Sequence, residues 1–75
     1  MTPDHEIDAL GLLCPLPVLR LRKVLLAARS GAVIRILADD PVAQIDIPHF
    51  CAEQGATVLS TEDQARGTAF TIRAP

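Results

Sequence analysis

The 75-residue chain has no tryptophan, no tyrosine and only two phenylalanines, Phe50 and Phe70. Proteins that grip single-stranded nucleic acid stack bases on aromatic rings and follow the phosphates with a basic groove. This chain has neither: its formal charge is −2 and its pI is about 5.5. Direct nucleic-acid binding is therefore not expected. No uninterrupted apolar run reaches the roughly 18 residues of a membrane-spanning helix, so no membrane span is expected. The opening Met1-Thr-Pro-Asp-His-Glu is polar and acidic, unlike a secretory leader, and a cytoplasmic location is expected. Cysteine is scarce too, with only Cys14 and Cys51. There is no Cys-X-X-Cys and hence no resolving thiol of the thioredoxin kind. A disulfide between two cysteines in unlike contexts is not expected in a reducing compartment. The two histidines, His5 and His49, have no spacing that assigns either as a base for Cys14 or builds a metal site. No cofactor and no metal are expected.

What is present suffices for one compact domain over residues 1–75, with 49% apolar residues to fill a core. Residues 6–10 read as a short strand and Gly11 as a turn. Residues 17–29 read as a helix, with Val18, Leu21, Leu25 and Ala28 at helical spacing and Arg20, Arg22, Lys23 and Arg29 on the other faces. Gly31 supplies a helix stop. Residues 32–38 alternate as a strand, with Ile34 and Ile36 on one face. Asp39-Asp40-Pro41 reads as a helix start. Pro48 then predicts a break, with a short turn over 41–46 and a helix from about Ile47 to Gln54 that Asp46 would cap. Strands over 57–61 and 68–73 flank a polar loop, Glu62–Gly67, as a hairpin. The order βαβαββ predicts an α/β two-layer sandwich. In it a four-stranded mixed sheet has both helices on one face and leaves the other face open.

The segment Gly11-Leu12-Leu13-Cys14-Pro15-Leu16-Pro17 places a thiol where a strand gives way to a helix. Proline is tolerated in the first helical turn, and the residue before it prefers an extended backbone. Cys14 is thus expected at the cap position or just outside it, near the surface. Unpaired N–H groups and the dipole at a helix start favour the thiolate, which lowers a thiol from about 8.5 by one to several units. The N–H groups of Leu16, Val18 and Leu19 are the expected donors. With no second thiol and no base, the chemistry left is that of one accessible thiolate: accept a group, hold it and pass it on. Persulfide is a natural cargo, being one of the reversible states of a reactive cysteine. Cys51 follows Phe50, shares a face with Ile47 and reads as core.

These residues carry a family resemblance. Asp8-Ala-Leu-Gly-Leu-Leu-Cys14-Pro15-Leu16-Pro17, the helix that follows, and Ala38-Asp-Asp-Pro-Val-Ala-Gln-Ile-Asp46-Ile-Pro-His-Phe-Cys51 resemble the TusA/SirA-like sulfur-carrier family over nearly all of residues 6–74. The resemblance implies a two-layer sandwich with Cys14 as the sulfur-bearing residue in a Cys-Pro-X-Pro motif. It implies a sulfurtransferase-type carrier that takes persulfide sulfur from a cysteine desulfurase or rhodanese and relays it to an acceptor protein. Branches of the family feed tRNA thiolation, molybdenum-cofactor maturation or sulfur oxidation. Several tRNA-pathway members have a basic residue before the cysteine, an acidic one between the prolines and a basic one before the second aspartate. Here those positions are Leu13, Leu16 and Ile45, so the rim around Cys14 is more apolar.

Asp40 and Asp46 match acidic positions of that pattern. They read either as helix caps or as contacts for a partner's basic surface. Arg20, Arg22 and Lys23 read either as a solvated helix face or as a stripe for an acidic partner. The alternative function is a non-catalytic interaction or regulatory module that uses the open sheet face, with Cys14 incidental.

Overall fold

The computed structural model describes residues 2–75. Its elements run β1 (His5–Ala9), α1 (Leu16–Ala27), β2 (Val33–Ala38), α2 (Ala43–Gln54), β3 (Thr57–Asp63) and β4 (Thr68–Arg73). The sheet order is β1-β2-β4-β3. β1 and β2 are parallel, and β4 is antiparallel to both β2 and β3. The chain is thus an α+β sandwich with a mixed sheet, as its pattern of elements predicts. The α1 crossover joins adjacent parallel strands. The α2 crossover skips one position, into which β4 returns by a hairpin.

Alternation along the strands decides the layers. Ile34, Ile36, Phe70 and Ile72 turn to one face, each almost fully excluded from solvent. They form one apolar cluster with Leu21 and Leu25 of α1 and with Ala43, Ile47, Phe50 and Cys51 of α2. Val18 and Ala28 pack at its margin. The opposite face carries Glu6 beside Arg35 and Arg35 beside Thr71 in the strand register, with a Glu6–Arg35 ion pair at 3.8 Å.

Three local expectations are corrected. α2 does not break at Pro48 but runs unbroken from Ala43 to Gln54. Pro48, sixth of the twelve residues, lies inside the helix and removes one intrahelical backbone bond. Burial of Ala43, Ile47, Phe50 and Cys51 along one stripe holds the preceding turn helical. The β3–β4 hairpin pairs as far as Asp63 with Thr68, so its loop is 64–67 and shorter than read. There Gly67 has φ +74°, and a Cβ on it would collide with the Ala38 carbonyl oxygen. His5, just before the strand read over 6–10, opens β1 and pairs with Ile34 of β2.

Candidate thiol site at the ends of the parallel strands

Ala9 pairs with Ala38 at the last rung of the parallel β1–β2 ladder. The two loops that leave these strands, 10–15 and 39–42, therefore emerge side by side. Short aspartates stitch them together. The Gly11 N–H donates to Asp39 Oδ1 at 2.9 Å, and the Cys14 N–H donates to Asp40 Oδ2 at 2.7 Å. Gly11 has φ +78°, a left-handed conformation that a side chain would disfavour. The Cys14–Pro15 peptide is cis. α1 starts at Leu16 with Pro15 as its N-cap residue, so Cys14 sits just outside the helix, as expected. It is exposed, whereas Cys51 is 1% exposed, and both are free thiols.

The crease around Cys14 is walled by Pro15, Pro17 and Val18 on one side and by Asp40, Ala43 and Asp46 on the other. Asp46, in the first turn of α2, accepts a hydrogen bond from Cys14 Sγ across 3.0 Å. It does not cap its helix through a side-chain bond. Asp40 bridges the two loops: Oδ1 accepts from the Val42 N–H at 3.1 Å at the turn into α2, while Oδ2 holds the Cys14 amide; it makes no side-chain cap on α2.

This geometry reverses one expectation. The thiol of Cys14 is shifted up from its ordinary value, not down, first by its hydrogen bond to Asp46, then by loss of solvent and by the charges of Asp46 and Asp40. Two of the three donors read as activators, Leu16 and Leu19, are spent elsewhere. The Leu16 N–H bonds to the Leu13 carbonyl at 2.8 Å, and the Leu19 N–H to that of Pro15 at 3.1 Å. Pro15 and Pro17 have no N–H to offer. A bond accepted from S–H persists only while sulfur keeps its proton, so the carboxylate favours the neutral thiol. Cys51 is also shifted up, by burial.

The structure brings Gly11, Cys14, Pro15, Pro17, Asp40 and Asp46 to one place. It leaves the cations out. Arg20 and Lys23 border a shallow groove against β1 that also holds Glu6 and Asp8, and Arg22 is exposed on the helix. His49 lies 3.7 Å from Glu53 in a surface pair. Asp39 is not among the expected site residues, although the doubled aspartate before Pro41 exceeds what a helix start requires; its Oδ1 holds Gly11. Among the described residues, five of the seven exposed large apolar side chains lie on the segments that flank the thiol, while Leu26 at the end of α1 and Leu59 in β3 lie elsewhere. Leu13 is 69% and Ile45 72% exposed, with Leu16, Leu19 and Val42 also open to solvent.

A small α+β sandwich that presents one open thiol between two crossover starts defines a class of protein. The family model described as sulfurtransferase TusA matches residues 5–74, and the chain belongs to that family. Membership connects it with sulfur transfer between donor and acceptor proteins. Among solved structures, the chain is similar to the SirA-like protein from Desulfitobacterium hafniense at 26% identity and a TM-score of 0.78, covering 92% of this chain and 93% of that one. No helix among the described residues is long and apolar enough to cross a membrane.

Proposed function

We propose that this chain is a sulfur carrier that holds persulfide sulfur on Cys14. The observation that carries the reading is the exposure of Cys14 at the strand–helix junction, in a family of sulfurtransferases, while Cys51 is sealed in the core. The thiolate of Cys14 attacks the outer sulfur of a donor persulfide, R–S–SH. The donor S–S bond breaks as the new one forms. The donor leaves as R–S⁻, and the proton given up by Cys14 ends on it. No net oxidation occurs. Donors of the cysteine desulfurase or rhodanese kind fit this step, and an acceptor thiolate repeats it in reverse. Final products such as thiolated tRNA, a molybdenum cofactor or oxidised sulfur are reached through the acceptor, not by this chain binding RNA or cofactor itself.

Pro15 and Pro17 shape the backbone beneath the sulfur, Gly11 makes the turn that brings it there, and Asp40 holds its amide. The chain turns over nothing alone; its role is relay. The test is incubation with a cysteine desulfurase and cysteine, followed by intact mass measurement. Wild type and Cys51→Ala gain one sulfur atom, and Cys14→Ser gains none. Failure of wild type to gain sulfur from either donor class would refute the reading.

A further inference from the structure

The side chain that faces the sulfur is a carboxylate. Asp46 accepts the Cys14 thiol at 3.0 Å, and Asp40 lies behind it on the Cys14 amide at 2.7 Å. A thiolate at that position, or the persulfide anion that replaces it, meets two negative charges. At such range charge repulsion costs about 1 kcal/mol even at the dielectric of water, and more at a protein surface.

Among the described residues no cation pairs with either carboxylate: the ion pairs join Arg35 with Glu6, His49 with Glu53 and Arg66 with Asp39. Arg20 and Lys23 are turned to the β1 groove beside Glu6 and Asp8. A second, independent feature lies on the segments that carry Cys14, Asp40 and Asp46: the open apolar side chains Leu13, Leu16, Val42 and Ile45. A macromolecule that brings its own sulfur to Cys14 Sγ has to cover this rim, and so dries the carboxylates within it. Electrostatic effects strengthen as water leaves.

Resting on the proposed carrier role, we infer that Asp46 is a positioning residue that restrains the Cys14 sulfur until a partner protein sets a lysine or arginine against it. The partner's chemistry follows: a cationic side chain next to its own reactive cysteine, inside an apolar surround that meets Leu13 and Ile45. The cation pairs with Asp46, the hydrogen bond to sulfur is released, and the thiol proton leaves as the thiolate forms, to end on the departing donor thiolate. An acidic or purely polar partner surface does not open the site.

Small thiosulfonate reagents with cationic, neutral and anionic tails test this without a known partner. In each reaction the Cys14 thiolate attacks the sulfenyl sulfur, a mixed disulfide forms and methanesulfinate leaves. Rates are taken relative to free cysteine. Wild type prefers the cationic over the anionic reagent by about tenfold or more, as two nearby charges demand, and salt shrinks the preference. Asp46→Asn collapses the preference and speeds the neutral reagent. Glu53→Gln, which removes the same charge from the far end of α2, leaves it in place. Equal selectivity in wild type and Asp46→Asn, or an equal loss in Glu53→Gln, overturns the inference. Continued protection of Cys51 from the reagents checks that each variant is folded. Sulfur loading by a desulfurase is scored separately. Loading with no charge selectivity sinks the restraint alone, whereas selectivity with no loading sinks the carrier reading on which it rests.

Discussion

At the scale of single residues, two cysteines of one chain are made unlike by where their backbones put them. Cys14 lies open and Cys51 is enclosed by the core. In the folded protein iodoacetamide labels Cys14 alone, and Cys51 reacts only after denaturant is added; peptide mapping reads this directly. The labelling rate of Cys14 carries the signature of Asp46. Its midpoint on a pH axis lies above the ~8.5 of free cysteine, because the carboxylate both accepts from S–H and repels the thiolate. Asp46→Asn moves the midpoint down. A wild-type midpoint below that of free cysteine contradicts the geometry. The same proton is bound more tightly in the folded than in the unfolded chain. Its contribution to stability is therefore full below the unfolded value and lost as pH rises through the folded one. Local reading placed the thiol correctly but reversed the direction of its shift. Pro-X-Pro and the helix start are visible within a few positions. Asp46 acts from 32 residues away, and only the register of two parallel strands brings it there.

At the scale of elements, the strands and α1 were legible because their burial follows their period. Leu21 and Leu25 of α1 face the core, as do Ile34 and Ile36 of β2. α2 was legible only in its second half. Pro48 reads as a local break, whereas Ala43, Ile47, Phe50 and Cys51 form a buried stripe across it. The tertiary contact outweighed the local signal, as it often does in helices whose stability comes from packing. The turn between β3 and β4 depends on one residue without a side chain. Gly67→Ala drives a Cβ against the Ala38 carbonyl and adds a positive-φ penalty of roughly 1–2 kcal/mol. A fall in Tm of about 4 °C or more is expected for a domain of this size, read by thermal unfolding. An unchanged Tm would mean the hairpin is held otherwise.

At the scale of the whole molecule, the buried cluster and the reactive end are separable. Leu21 is fully buried, and Leu21→Ala costs about 2–5 kcal/mol, a large part of the 5–15 kcal/mol or so that holds typical domains folded. Denaturant titration measures it. Leu13 and Ile45 are open. Leu13→Lys and Ile45→Lys change stability by less than about 0.5 kcal/mol, yet they slow sulfur exchange with a protein donor severalfold. Exchange with inorganic polysulfide is retained. Unimpaired exchange with the protein donor removes the rim from the account. The open sheet face is charged through Glu6, Asp8, Arg35 and Arg73 and carries the half-buried Leu37. The fold was readable from the order of elements. The reactive end was readable as a thiol with Asp40 and Asp46 as acidic candidates, but their bonds to the Cys14 amide and sulfur were not.

The most direct measurement follows labelled sulfur. The protein is charged from a desulfurase with ³⁵S-cysteine, separated from the donor and digested without reductant. The account predicts label on the peptide that contains Cys14, released by a reducing thiol. Label on the Cys51 peptide, or none on the chain, contradicts it.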